Sequence, residues 1–324
     1  MPDPDDHQTD PPPPAPVPVV LDCDPGHDDA LALLLAHADP RVDLRAVTVV
    51  HGNQTVDKCL RNALAVCTLA GITDVPVARG ADRPLVRPLR VAPDIHGESG
   101  LDGPDLPVPT VVADPRDAVT LLHDVLTAAE QPVTVVATGA LTNVAMLLRA
   151  HPEVVRSVRG VVWMGGSTGR GNITPFAEAN AANDPEAAQH VLDSGVPFTM
   201  VGLDVTHQAL VTADVLGRLR ALGTPLARTC VGWLTFFAGT YDEQFGMPDP
   251  PLHDPVAVAR VLDPALVRVV RTHLVVETEG RWTSGATVAD LHGYSGRAAN
   301  ADVALGLDRD GFFDLLVAAV ASYG

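Results

Sequence analysis

An apolar run at residues 17–21 leads straight into Asp22-Cys23-Asp24-Pro25-Gly26-His27-Asp28-Asp29-Ala30, and a second apolar run follows at residues 30–36. A Pro-Gly turn between two such runs marks the passage from a strand into a helix. Crowding four carboxylates into that passage is electrostatically unfavourable, because clustered like charges raise one another's pKa or recruit a cation. A helix N-cap and first turn explain one or two acidic residues, but not Asp22 and Asp24 at the strand end as well. With oxygen donors only and no Lys or Arg beside them, the group points to Ca²⁺ or Mg²⁺ rather than zinc.

The same strand–turn–helix unit recurs along the chain. Val-rich runs predict strands at 17–24, 44–50, 75–78, 133–137, 158–163 and 198–203. Helical patterns fill 28–38, 56–70, 117–129, the stretch from Asn143 to Ala150, and the segment up to Leu192 that Asp184 caps with Pro185 at its first position. This alternation predicts an α/β fold with an open, mainly parallel, doubly wound sheet. Extra helices are expected at 210–244 and 253–262, and 267–288 reads as a C-terminal hairpin. Long Pro- and Gly-rich loops occupy 82–109 and 164–183. No internal repeat or linker interrupts residues 17–324, which are expected to form one domain. Residues 1–16, acidic and proline-rich without an apolar signal region, read as a disordered tail.

A formal charge of −18 argues against partners that need a basic footprint, nucleic acid and anionic membranes alike. No apolar stretch is long enough to span a bilayer. Lys58 is the sole lysine, and Cys23, Cys59, Cys67 and Cys230 show no CxxC spacing. Isolated buried thiols fit a reducing compartment, so a cytoplasmic location is expected. Strand alternation turns Cys23 away from Asp22 and Asp24. In a doubly wound sheet, ligands gather beyond the carboxyl ends of the strands. Asp24, Asn53, Thr138, Met164 and the 172–180 segment all fall at such ends or just after them.

At this point the chain resembles a known family. Asp22-x-Asp24-Pro25-Gly26-x-Asp28-Asp29-Ala30 is similar to the signature of the nucleoside hydrolases of the inosine-uridine-preferring type. Val50-x-Gly52-Asn53, Ile95-His96-Gly97-Glu98-Ser99-Gly100, Thr138-Gly139-x-Leu141-Thr142-Asn143, Met164-Gly165-Gly166, Ala177-Glu178-x-Asn180, Gly202-Leu203-Asp204-x-Thr206 and His253-Asp254-Pro255 follow in family order. The resemblance implies Ca²⁺-dependent hydrolysis of the N-glycosidic bond of ribonucleosides. It implies that Asp24, Asp29, the backbone carbonyl of Thr138 and Asp254 hold the metal, with Asp24 also the general base for a metal-bound water. Asp28 and Asn53 would bind ribose hydroxyls, Asn172, Glu178 and Asn180 the 5′ and 3′ side of the sugar, and Met164 would pack on the ribose. The family assembles as dimers or tetramers, so a homodimer or homotetramer is expected.

For the leaving base the resemblance offers His253, with Tyr241 as a second contact. Relatives that carry a Trp-based purine sandwich lack this His, so His253 points to the inosine/uridine-preferring or pyrimidine-preferring branches. On the residues alone, His253 could instead satisfy a helix N-terminus, the lesser of its two readings, and Tyr241 equally suits a half-buried packing position. His96 either lines the pocket mouth as a base contact or shapes its loop. Ala179, Phe237 and Phe245 depart from the family pattern near the sugar and base. Trp163, Trp233 and Trp282 are expected in the core. A phosphatase with Asp22-x-Asp24 at its first strand would need a downstream phosphate-binding lysine, and Lys58 lies inside a predicted helix. A non-catalytic nucleoside-binding homologue that keeps the metal cup is the other alternative.

Overall fold

A computed structural model describes residues 15–324; the expected tail at 1–16 lies almost wholly outside the described residues. Eight strands form the central sheet: β1 (Val17–Cys23), β2 (Val42–Val49), β3 (Val77–Arg79), β4 (Val133–Ala137), β5 (Val158–Met164), β6 (Phe198–Val201), β7 (Val267–Thr272) and, after the hairpin strands β8 (Leu274–Val276) and β9 (Thr287–Ala289), β10 (Ala301–Leu307). Their order is β3-β2-β1-β4-β5-β6-β10-β7. All neighbours run parallel except β10 and β7. The sheet is therefore the doubly wound one that the alternation predicts. Its order reverses between β1 and β4, and that switch point opens a crevice at their carboxyl ends.

Side chains of β1 alternate between two cores. Val19, Leu21 and Cys23 face one cluster and Val20 the other. The helix His27–Ala38 is buried on every side from His27 to Ala36, packed against helices Asp254–Leu262 and Arg309–Ala321. This explains why its sequence carries an unbroken apolar run and no polar face.

Three expectations need correction. The 267–288 segment is not a single hairpin: Val267–Thr272 leaves to pair antiparallel with β10 at the sheet edge, and only β8 and β9 pair as a separate two-stranded ribbon. The helical stretch 210–244 is two helices, Ala213–Ala221 and Pro225–Phe245, divided at Gly223, whose φ of 69° ends the first. Trp163 and Trp233 are buried, but Trp282 is 75% exposed under the guanidinium of Arg281. Among the described residues, no helix is long and apolar enough to cross a membrane.

Candidate active site

The switch point places Asp24 just past β1 beside Thr138 just past β4, where the Thr138 N–H donates to Asp22 O at 2.8 Å. Asp22 itself does not join the acidic cluster. Its Oδ1 accepts from Thr48 Oγ1 and Asn143 Nδ2 at 2.6 and 2.7 Å, inside the second core. The expectation of four clustered carboxylates in the turn is thus corrected. Asp22, still inside β1, shares the face of Val20 toward the second core, while Asp24 lies past the strand end where the pleat no longer applies. Asp254, from the start of a distant helix, takes the fourth place.

Asp24 Oδ2 accepts the Asn53 N–H at 2.7 Å, whereas Oδ1 is buried without a partner. Asp29 Oδ2 accepts from the Gly26 N–H and Asn53 Nδ2, and Oδ1 from Thr138 Oγ1 at 2.7 Å. Carboxylate oxygens of Asp28, Asp29 and Asp254 lie within 4.8 Å of one another, all buried. Burial pushes every one of these acids up, and the neighbouring charges push further: Asp28 rises to about 7, and Asp24 and Asp254 well above the usual range. No Lys or Arg lines the cavity above them. A buried anionic cup with an unpartnered oxygen and no internal cation fits a hard divalent ion coordinated by oxygens.

Asp28, Asn53, Thr138, Asp254, Met164 and His253 line one cavity together with Asn172, Glu178, Asn180, His96 and Tyr241. Asp24 and Asp29 sit beneath it, reached through Asn53 and Thr138. Asn180 Nδ2 donates to the Thr138 carbonyl at 2.7 Å and the Met164 carbonyl at 3.0 Å, which ties the ends of β4 and β5 to the short helix Ala179–Asn183. Glu178 caps that helix, accepting the N–H groups of Asn180 and Ala181, and of Gly166 at 2.8 Å. Asn172 Oδ1 accepts the Ala179 N–H at 2.9 Å. The sugar-side residues of the sequence reading are thereby pre-positioned by backbone, with little left to rotate on binding.

The opposite wall is aromatic. His253 Nδ1 is 2.7 Å from Thr206 Oγ1, and its Nε2 is 2.7 Å from Tyr241 Oη. Phe237 meets Tyr241 edge-on at 4.6 Å and stacks on His96 at 5.5 Å. Burial drives His253 down to about 3 and lifts the Tyr241 phenol well above its ordinary value, with Asp28, Glu178 and Asp254 adding to the latter. Burial thus disfavours the imidazolium form of His253, whose ring bonds Thr206 and Tyr241 and makes no side-chain cap to the helix that Asp254 opens.

His27, Thr206 and Asp102 went unread in the sequence. Thr206 stands in a quoted landmark, and His27 inside the acidic turn itself, so position was the only available signal. His27 is fully buried; burial brings it down to about 4.

Residues 19–314 match the model of the family described as inosine-uridine preferring nucleoside hydrolase. The chain belongs to this family. It is 49% identical over 305 residues to the pyrimidine-specific ribonucleoside hydrolase RihA of Enterobacter sp. (strain 638), covering 94% of this chain and 97% of that one. With the RihA of Escherichia coli (strain SMS-3-5 / SECEC) it shares 48% over 298 residues, 92% of this chain and 96% of the other. Among solved structures, the purine-preferring ribonucleoside hydrolase from Gardnerella vaginalis superposes with a TM-score of 0.89 at 31% identity, over 94% of this chain and 98% of that one. This nucleoside hydrolase is accordingly an enzyme, an N-glycosidase with a candidate metal-binding cluster of aspartates. The phosphatase alternative falls away.

Proposed function

We propose that this nucleoside hydrolase cleaves pyrimidine ribonucleosides, uridine and cytidine ahead of inosine, with Ca²⁺ as its ion. The base preference is supported by 49% identity to a relative named pyrimidine-specific, against 31% to one named purine-preferring. The observation that carries the chemistry is a buried acidic floor facing an aromatic and imidazole wall within one cavity. A ribose diol suits the first and a planar base the second.

Asp24, Asp29, the Thr138 carbonyl and Asp254 would hold the ion, which when bound supplies Lewis acidity and a grip on vicinal hydroxyls. Asp24, with its free Oδ1, takes the proton of the attacking water. Asp28 and Asn53 bind ribose hydroxyls, Asn172, Glu178 and Asn180 hold the rest of the sugar, and Met164 packs against it. Positive charge developing on the ribosyl ring is favoured by the acidic surroundings over the neutral ground state. Direct attack by water predicts inversion at the anomeric carbon. Tyr241 delivers a proton to the leaving base while His253 holds the phenolate oxygen, and the phenol is reprotonated from solvent as the products leave. Residues 17–324 act as one catalytic domain, in a cytoplasmic homodimer or homotetramer.

Ribose release from uridine, cytidine, inosine and adenosine, before and after chelation and with Ca²⁺ or Mg²⁺ restored, tests the proposal. Pyrimidine turnover that chelator abolishes and calcium restores is expected. Inosine cleaved at least as fast as uridine would overturn the preference. Restoration by magnesium alone would overturn the choice of ion. Calcium binding without turnover of any nucleoside would instead favour a binding protein.

A further inference from the structure

Behind the aromatic wall, His27 Nε2 lies 2.7 Å from the backbone carbonyl of Asp102, and His27 Nδ1 lies 3.1 Å from His96 Nδ1. A carbonyl oxygen only accepts, so His27 Nε2 carries the proton. In the neutral ring its Nδ1 is then a bare lone pair, and the hydrogen between the two imidazoles belongs to His96 Nδ1. The reverse assignment would set two lone pairs face to face at 3.1 Å. The backbone N–H of His27, 3.5 Å from His96 Nδ1, is too far away to outweigh this.

With Nδ1 protonated, His96 turns a bare Nε2 outward. Among the described residues that nitrogen has no protein partner, and it is not sealed off from the cavity that His96 lines. His27 cannot touch a ligand itself: it is wholly buried, stacked on Phe236 at 5.2 Å and on His96 at 5.4 Å. Gly26 lets the rings come this close, because a Cβ there would stand 2.5 Å from His96 Nδ1.

We infer that His27 is a positioning residue that locks His96 in its Nδ1–H tautomer, so that the base side of the cavity offers an acceptor to an N–H donor on the pyrimidine edge. The donor would be N3–H of uracil or the amino group of cytosine. Only the identity of that donor rests on the pyrimidine reading; the tautomer does not. A cavity that offers a donor where the substrate also has one leaves both unpaired, and hydrogen-bonding sites discriminate strongly against such mismatches.

The test uses the full-length, calcium-loaded protein with ¹⁵N-labelled histidine, the His96 signals being assigned by their loss in His96→Gln. In the wild type, His96 Nε2 should resonate as an unprotonated nitrogen. His27→Phe keeps a flat ring for the stack but no acceptor, and should convert His96 Nε2 to the protonated form. Its kcat/KM for uridine should fall roughly 10- to 100-fold. His27→Asn returns an oxygen near the old Nδ1 position and should restore both the tautomer and most of the rate. If His27→Phe does not fold, His27→Gln, which keeps a donor towards Asp102, carries the same reading. A protonated His96 Nε2 in the wild type, or an unprotonated one in a folded His27→Phe, would overturn the inference. An unprotonated wild-type Nε2 in a protein that ignores uridine and cytidine would uphold it and overturn the pyrimidine reading instead.

Discussion

Tyr241 Oη and His253 Nε2 are hydrogen-bonded at 2.7 Å, and the other imidazole nitrogen of His253 is bonded at 2.7 Å to Thr206 Oγ1. Both ring nitrogens are therefore engaged, and in the proposed mechanism the phenol is the member of the chain that gives its proton to the base. If Thr206 donates to Nδ1, Nε2–H donates to the phenol and the tyrosyl hydrogen is free to point at the base. Passing that hydrogen to the base leaves a phenolate oxygen held by His253 Nε2–H, and the phenol regains its proton from solvent as the base departs.

Tyr241→Phe should lower kcat on uridine by about 10²-fold or more, the usual weight of a positioned general acid. His253→Gln should cost a similar factor, and the double variant little more than either alone, since both break one chain. A p-nitrophenyl riboside, whose leaving group departs as a stable anion, should be cleaved almost normally by both single variants. Equal losses on the two substrates would show that the pair shapes the site without supplying a proton.

The acidic floor makes stability depend on pH in a direction set by its raised pKa values. Asp28 titrates at about 7 in the folded state against 3.8 in the free group, so between these values the folded state binds the proton more tightly than the unfolded chain. The contribution of Asp28 to the stability of the chelated protein should therefore be lost as pH rises from about 4 through about 7. It is opposed below about 6.5 by buried His27 and His253, whose lowered pKa values make stability rise with pH there. Bound calcium favours the ionised carboxylates and should flatten this slope. Asp22, also raised to about 7 but outside the cluster, should leave a residual slope that Asp22→Asn removes. Thermal midpoints of the wild type and of Asp28→Asn across this range, with chelator and with saturating calcium, provide the check; chelated profiles of identical slope in the two proteins would contradict it.

Calcium itself should stabilise the fold by mass action, about 2.7 kcal/mol at a free concentration 100 times its Kd. Asp29→Ala and Asp254→Ala should abolish this gain, whereas Asp22→Asn should leave it intact. Melting curves across a calcium titration distinguish the two groups of variants.

Much of this arrangement could be read from residue order. The strand and helix alternation up to Val201 follows from periodic Val runs and capped helix starts, and those elements appear within a few residues of expectation. The acidic turn and the strand-end positions of Asn53, Thr138 and Met164 were legible because a doubly wound sheet concentrates ligands at its switch point. What was hidden depends on which face a side chain takes and on contacts between distant segments. Asp22 looks identical to Asp24 in sequence, yet Asp22 is still held inside β1, facing Thr48 and Asn143, while Asp24 lies past the strand end, where the pleat no longer sets its direction. His27 and His96 stand 69 positions apart, and nothing local to either predicts their bond. β10 and the helix Arg309–Ala321 went unassigned, and Val267–Thr272 was misread as half of a hairpin, because only pairing with β10 makes it an edge strand.

The position of Asp24 depends on two glycines. A Cβ at Gly139 would stand 2.6 Å from Asp24 Oδ1 and 2.7 Å from a Val50 methyl, and a Cβ at Gly52 would stand 2.0 Å from Asp24 Oδ2. Gly139 cannot retreat easily, since Trp163 Nε1 donates to its carbonyl at 3.0 Å and pins the loop after β4. Gly139→Ala must therefore push the Asp24 carboxylate aside and strain its 2.7 Å bond with the Asn53 N–H. Displacing a reacting group by about 1 Å can cost roughly 100-fold in rate, and a loss of at least that size in kcat is expected, together with weaker calcium binding. Gly217, with open space around its would-be Cβ, is the matched control: Gly217→Ala should keep full activity and melt no lower, because alanine is the better helix former. The two alanine variants add the same methyl group, so a selective loss in Gly139→Ala isolates the crowding against Asp24. A folded Gly139→Ala enzyme with wild-type kcat would show that the rate does not depend on where these glycines hold that carboxylate.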